Sequence, residues 1–318
     1  AAMLGLLGRN EDLFDGSPYG PAQAVDGEPT ASRSLLPAWL GSLIREEEHG
    51  ALLSRAPMDL RINRAKADRE NVLRELPNAQ PIAGLADAVR LSENMRIDDQ
   101  PAWIEGRIEV QDAGSQWVAA ACAVLPGMTV VDLCAGAGGK TLALAADMGG
   151  IGRLIACDTN RDRLQRMIPR AKRAEVSSVE ARLLNPGQEL SQLADLEGQA
   201  DLVLIDAPCS GSGTLRRNPE ARWRLTPDRL NRLTDLQAHV LALGARLVKP
   251  GGTLVYAVCS LIAAEGTEQI TAFLEKENDW LAEDLDSLPG RQEGAGRRLS
   301  PAHDGTDGFF IARLTRRC

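Results

Sequence analysis

The sequence predicts an α/β fold built on a doubly wound, mostly parallel sheet. Three observations carry this reading. Short β-branched and aliphatic runs alternate with amphipathic helical patterns over about 190 residues from Thr129 onward. The first of these runs, Thr129–Leu133, leads directly into a glycine-rich turn, Cys134-Ala135-Gly136-Ala137-Gly138-Gly139-Lys140-Thr141. Two later runs each end by delivering a cysteine: Leu202–Asp206 reaches Cys209 through Ala207-Pro208, and Leu254–Val258 reaches Cys259.

Taken in order, residues 1–34 start with the apolar stretch Met3-Leu4-Gly5-Leu6-Leu7. They continue through Gly, Pro, Asp and Ser, the composition of a linker. From Leu35 to Glu48, the spacing of Trp39, Leu40, Leu43 and Ile44 predicts one helix. Met58–Ile62 alternates as a half-buried strand does, and Ala67–Leu76 suits a helix stopped by Pro77. Residues 35–115 therefore read as a small α+β domain, and 116–318 as the α/β domain. Within the latter, the glycine turn opens the helix Leu142–Met148, and Leu154–Asp158 is the next strand. A helix over Arg161–Arg173, a strand over Val179–Leu184 and the strand ending at Asp206 follow. Pro208 has no N–H to give a ladder, so the chain must leave the sheet there. A long amphipathic helix over 228–248 closes at Lys249-Pro250-Gly251-Gly252. After it come the strand 253–258, a helix over 264–276 and a terminal strand, Gly308–Leu314.

An apolar content of 44% with 25% charged residues is that of a soluble globular protein, and no apolar run approaches the roughly 20 residues that span a bilayer. The six cysteines form no CxxC and lie far from the three histidines, which speaks against a structural metal site or a disulfide framework. A reducing cytoplasm is the expected setting. The net charge of −8 argues against a protein that simply coats nucleic acid. The charge is uneven, however. Arg161–Arg173 holds six basic residues and one acid, and Arg216–Arg232 six basic residues and two acids. Such runs are usually solvated helix faces, but both flank the cysteine strands and suit phosphates.

Spacing decides which nucleotide the glycine turn suits. A Walker A loop needs glycine five positions before Gly139, where Cys134 stands, and a dinucleotide fingerprint needs glycine or alanine where Thr141 stands. What remains is a glycine turn after one strand and an acid, Asp158, ending the next. Such an acid accepts the hydroxyls of a ribose while the glycines let backbone approach a ligand closely. S-adenosylmethionine, with an adenosine and no phosphate, fits this pattern.

The two thiols point to a specific use of that cofactor. C5 of a pyrimidine is too weak a nucleophile to take a methyl group until a thiolate adds to C6 and turns the ring into an enamine. A base must then remove the C5 proton before the thiol leaves. Cys209, Cys259 and Asp206 can supply a nucleophile, a group for release and a carboxylate for the ring's N3 and N4. Cys122, Cys157 and Cys318 read as packing residues, and Cys134 as no participant in covalent chemistry.

These motifs resemble those of the RsmB/Sun family of RNA cytosine-5 methyltransferases. The likeness is carried by Leu133–Thr141, Asp206–Gly211 and Tyr256–Ser260, by Val110-Gln111-Asp112-Ala113-Gly114-Ser115-Gln116 and by Asp307-Gly308-Phe309-Phe310. It extends from about residue 35 to the C-terminus. Arg216-Arg217-Asn218-Pro219-Glu220-Ala221-Arg222-Trp223 bring it nearest to the bacterial enzymes acting on 16S ribosomal RNA. The resemblance implies a Rossmann-like class I methyltransferase domain preceded by a small RNA-recognition domain. It implies Cys259 as nucleophile and Cys209 as the group assisting release. Cys134, Ala135, Gly136, Ala137, Gly138, Gly139, Lys140, Asp158, Asn185 and Asp206 would line the cofactor and base pocket, with Lys140 pointing into the active site. Arg216, Arg217 and Arg222 would help cradle ribosomal RNA. A monomer without metal or membrane attachment is expected.

The chain departs from the family pattern at Ala137 (usually Pro), Asn185 (usually Asp), Val258 (often Thr) and Gly266 (frequently Asn). None of these removes a chemically required group. The ribosomal subfamily carries a helical RNA-binding domain upstream, of which residues 1–34 would be a remnant. The competing readings are a non-catalytic RNA-binding factor on the same fold and a methyltransferase on tRNA with Cys209 as nucleophile.

Overall fold

Alternate residues of a strand face opposite sides, and here both sides are covered. Val131, Ile155, Val203 and Leu254 belong to one buried cluster, and their neighbours Val130, Leu154, Leu202 and Val255 to another. That double burial is why the predicted strands read as continuous apolar runs. The computed structural model describes residues 36–92 and 95–318. The linker expected over 1–34 lies outside the described residues. Among the described residues, no helix is long and apolar enough to cross a membrane.

The first sheet is antiparallel and four-stranded, made of β1 (Met58–Ile62), β2 (Ala79–Pro81), β3 (Ala88–Leu91) and β4 (Ile108–Val110) in the order β2-β3-β1-β4. The half-buried alternation expected of β1 does not hold, since Asp59 and Arg61 are as buried as their apolar neighbours. Their face packs on the start of the helix Ala113–Cys122. Asp59 accepts bonds from Arg90 Nε at 2.7 Å and from Ala113 N at 2.9 Å, and Arg61 Nε donates to Gln111 Oε1 at 2.7 Å. Polar side chains tolerate this burial because each is paired.

The single helix expected over Leu35–Glu48 is also corrected. Two short helices, Ala38–Gly41 and Glu46–Ala51, are separated by an extended Arg45 (φ −59°, ψ 139°). The break turns Leu40, Ile44 and Leu52 into a cluster with Leu215, Leu225, Leu230 and Ile262, and leaves Leu43 exposed. Burial of these side chains outweighs the local preference for a continuous helix.

The second sheet has nine strands: β5 (Thr129–Asp132), β6 (Arg153–Asp158), β7 (Val179–Leu183), β8 (Ala200–Asp206), β9 (Val248–Val258), β10 (Trp280–Ala282), β11 (Arg291–Glu293), β12 (Gly296–Leu299) and β13 (Phe309–Arg316). Its order is β11-β12-β13-β9-β8-β5-β6-β7, with β10 beside β13. The run β9-β8-β5-β6-β7 is parallel, and β13, β12, β11 and β10 are antiparallel additions. Helices Ala113–Cys122 and Gly139–Met148 cover one face through Trp117, Val118, Leu144 and Met148. Helices Pro227–Leu247 and Thr267–Lys276 cover the other through Leu241, Leu247, Ile270 and Phe273. The helix expected over 264–276 is divided at Gly266, preceded by a 3₁₀ turn over Ala263–Glu265. A Cβ on Gly266 would stand 2.7 Å from Phe310 Cγ, so the chain passes the β13 core without a side chain there.

Candidate active site

From β5 the chain winds to β6 and β7 on one side, then returns to β8 and β9 on the other. The strand order reverses between β5 and β8, where an open α/β sheet leaves a crevice at its carboxyl end. A cavity of about 870 Å³ lies there.

The glycine turn forms one wall. Gly136 and Gly138 both have positive φ (+56° and +80°), and Gly138 caps the N-terminus of the helix Gly139–Met148. Their surroundings differ. A Cβ on Gly138 would stand 2.4 Å from Met167 Cγ, whereas one on Gly136 would enter open space. Of the turn residues predicted to line the pocket, Cys134, Ala135, Gly136, Ala137, Gly139 and Lys140 do; Gly138 packs on Met167 instead. Asp158, at the end of β6, is buried. It accepts Gly136 N at 2.8 Å and Asn160 N at 2.7 Å, which locks the carboxylate against the turn.

Behind the turn are a cation and two further acids. Lys140 Nζ donates to Asp206 Oδ2 at 2.7 Å. Burial alone would lower the Lys140 pKa, but the charge and hydrogen bond of Asp206 outweigh it, so the ammonium is retained with its pKa raised. Asp132 is 1% exposed, and burial pushes its carboxyl up to about 7 even though Thr141 Oγ1 donates to it at 2.6 Å. Its Oδ1 is buried with no partner among the described residues.

The two cysteines meet because β8 and β9 are parallel neighbours with Asp206 opposite Ala257. Both thiols therefore leave the sheet at one level, and their sulfurs lie 3.3 Å apart at the cavity wall. The hydrogen bond to Cys259, followed by burial, holds the Cys209 thiol well above its ordinary pKa. Burial likewise pushes up Cys134, Cys122 and Cys157, the last to about 12, in keeping with inert thiols. Cys318 is exposed.

Other sequence-singled residues sit differently. Asn185 is exposed and lies outside the cavity lining; its backbone N donates to Gln192 Oε1 at 2.7 Å, while the preceding Leu184 lines the cavity. Arg216 is turned inward onto Asp307 (2.8 Å), and Arg217 bridges Asp307 (2.6 Å) and Asp112 (2.9 Å). Arg222 lies over the Trp223 ring at 5.8 Å. Lining residues that periodicity and motifs did not reveal include Glu189, Asn160, Arg163, Arg166 and Arg170. Arg163, Arg166 and Arg170 fall at i, i+3 and i+7 on the helix Arg161–Arg173, so the charge run carried a usable signal. Arg170 also joins the two sheets, donating to Ala137 O at 2.7 Å and pairing at 3.0 Å with Glu109, which is buried on β4.

The glycine turn, the Asp158 carboxylate, the Lys140–Asp206 pair and the two thiols thus share one crevice. The model of the family described as 16S rRNA methyltransferase RsmB/F matches residues 120–315. The ribosomal RNA small subunit methyltransferase B of Xanthomonas campestris is 35% identical over 268 residues, covering 82% of this chain and 60% of the relative. Its counterpart from Xylella fastidiosa is 34% identical over 302 residues, covering 90% of this chain and 70% of the relative. The chain spans about 60–70% of the length of these curated relatives. The crystal structure of a methyltransferase homolog protein from Pyrococcus horikoshii superposes with a TM-score of 0.74 at 27% identity, covering 85% of this chain and 90% of that one. Family model, identity and shared architecture agree, and the chain belongs to the RsmB/F family of 16S rRNA methyltransferases.

Proposed function

We propose that this chain transfers a methyl group from S-adenosylmethionine to C5 of a cytosine in small-subunit ribosomal RNA, through a covalent bond between Cys259 and C6 of the base. The observation that carries this reading is the pair of thiols 3.3 Å apart, sharing a cavity with the glycine turn and Asp158. The cavity's residues fit the cofactor. Open space above Gly136 admits close approach, and Asp158 offers a carboxylate for the ribose. Leu184, Val240 and Leu243 offer apolar contacts for a purine, and the unpartnered Asp132 Oδ1 is an acceptor left for a donor. When bound, S-adenosylmethionine supplies an electrophilic methyl group. A volume of about 870 Å³ also leaves room for a nucleobase turned out of its strand.

The chain's own residues do the rest. The Cys259 thiolate forms a bond to C6, and the C5–C6 π electrons become available at C5. Asp206 accepts from the exocyclic amine of the ring while the Lys140 ammonium, bonded to it at 2.7 Å, offsets the charge that develops as sulfur adds. In the resting site Cys209 is held as a thiol chiefly by its hydrogen bond to Cys259. Once Cys259 is engaged at C6 that partner is gone; Cys209 gives its proton to water and, as thiolate, takes the proton from C5. The C5–H electrons then re-form the double bond and expel Cys259 as thiolate. The unit carrying β1–β4, within residues 35–115, would hold the RNA strand, tied to the catalytic part through Glu109 and Arg170.

The test uses S-adenosylmethionine and a small-subunit rRNA fragment. Cys259→Ala is expected to abolish both protein–RNA adduct and methylated product, and Cys209→Ala to accumulate the adduct. Turnover by Cys259→Ala would refute the assignment, and an adduct that survives in Cys259→Ala but not in Cys209→Ala would reverse the roles.

A further inference from the structure

One buried carboxylate, with no part in the chemistry above, joins the two cysteine loops. Glu265 is 0% exposed and ends the 3₁₀ turn after β9. Its Oε1 accepts Ser210 N at 2.7 Å and Gln237 Nε2 at 3.0 Å. Its Oε2 accepts Ser260 Oγ at 2.6 Å and also Ser210 Oγ. Ser210 directly follows Cys209, and Ser260 directly follows Cys259. One carboxylate therefore grips the residue next to each thiol.

Neighbouring bonds reinforce the same joint. Ser212 Oγ and Ser260 Oγ are 2.9 Å apart, Gln237 Nε2 donates to Pro208 O at 2.9 Å, and Gly213 N donates to Cys259 O at 3.1 Å. The buried Arg298 donates to Ser260 O and pairs with Glu293 at 2.6 Å. Among the described residues, the four donors to Glu265 are neutral groups. A buried carboxylate held only by neutral donors is costly to keep unless its geometry is needed, because well-packed apolar residues could fill the same volume.

We infer that Glu265 is a positioning residue that sets the spacing between the Cys209 and Cys259 thiols. Its catalytic consequence rests on the covalent mechanism proposed above, but the spacing itself can be read without cofactor or RNA. Two thiols in contact are oxidised by diamide to a disulfide, losing two protons and two electrons, which the azo group takes up as it becomes a hydrazine. Peptide mapping under non-reducing conditions measures how fast the Cys209–Cys259 cross-link forms.

In Glu265→Gln the charge-assisted bonds that span the two loops become neutral ones and one acceptor becomes an amide nitrogen, so the joint is loosened while side-chain volume is kept. Cross-linking is expected to slow about tenfold or more in Glu265→Gln and to recover partly in Glu265→Asp, which keeps both acceptors. If Glu265→Gln fails to fold, Ser260→Ala removes the hydroxyl through which the Cys259 side is held and carries the same expectation, whereas Ser210→Ala keeps the backbone N–H bond to Oε1 and should slow cross-linking less. Cross-linking at the wild-type rate in the soluble variants would overturn the inference, as would a wild-type protein that does not cross-link. In turnover assays, misplacement on the order of 1 Å costs about 10²-fold, expected in kcat at unchanged KM for RNA and cofactor. A loss confined to KM would overturn the positioning role. Slower cross-linking together with no methyl transfer by the wild type would refute the mechanism and leave the spacing role standing.

Discussion

Two glycines of one turn should fail in opposite ways when each gains a methyl group. Gly138 has φ +80°, and an added Cβ would stand 2.4 Å from Met167 Cγ, 2.7 Å from Sδ and 3.1 Å from Cβ. Met167 is 3% exposed, so it has little room to withdraw. The left-handed backbone costs an alanine about 1–2 kcal/mol, and overpacking adds about 1–3 kcal/mol. Gly138→Ala should therefore lose about 2–5 kcal/mol in urea denaturation. Gly136 has φ +56° with nothing within 4 Å of its Cβ position, so only the backbone cost of about 1–2 kcal/mol applies. Its methyl group would instead occupy the cavity. Gly136→Ala should weaken S-adenosylmethionine binding by calorimetry about tenfold or more while sparing most of the stability. If Gly136→Ala destabilised the fold as much as Gly138→Ala, the contact with Met167 would not be what sets the cost. If Gly136→Ala bound the cofactor normally, the turn would not be the cofactor wall.

Other outcomes follow from the buried charges. Asp132 has a folded pKa of about 7 against an ordinary 3.8, so between about pH 4 and 7 the folded chain binds more protons than the unfolded one. Stability should fall as pH rises through that window, by at most about 4 kcal/mol, with the loss complete above pH 7. Asp132→Asn keeps an acceptor for Thr141 and should flatten the profile in denaturation at pH 5 and pH 8; an unchanged slope would rule this origin out. Glu109 is 1% exposed and pairs with both Arg170 and Arg173. Glu109→Ala should cost about 3 kcal/mol, because it strands two partly buried cations. A loss below about 1 kcal/mol in urea would mean that the two sheets are held together by other contacts.

Much of the site was legible because its signals are local. A strand buried on both faces must be apolar along its length, and the acid, thiol or proline that interrupts the apolar run marks its end, so β5, β6, β8 and β9 and the residues at their exits could be read from short windows. Antiparallel additions such as β11 and β12 could not. Arg291–Glu293 and Gly296–Leu299 are short and largely polar, and they become strands only because β13 offers a ladder to β12, which in turn pairs with β11. The same limit explains the two helices expected as single ones, where Arg45 and Gly266 yield to contacts made far along the chain.

By itself the sequence determined the parallel order of strand and helix, the glycine turn, and an acid or a thiol at each strand exit, since each depends on residues within a few positions of one another. Tertiary structure alone decided that Cys209 and Cys259, fifty residues apart, stand 3.3 Å from each other with Glu265 beneath them. It also decided that Arg216 and Arg217 are drawn onto Asp112 and Asp307, and that Asn185 stays outside the cavity. Those outcomes depend on which strands become neighbours, in what register, and which charges are buried together, and no local window of the chain contains that information.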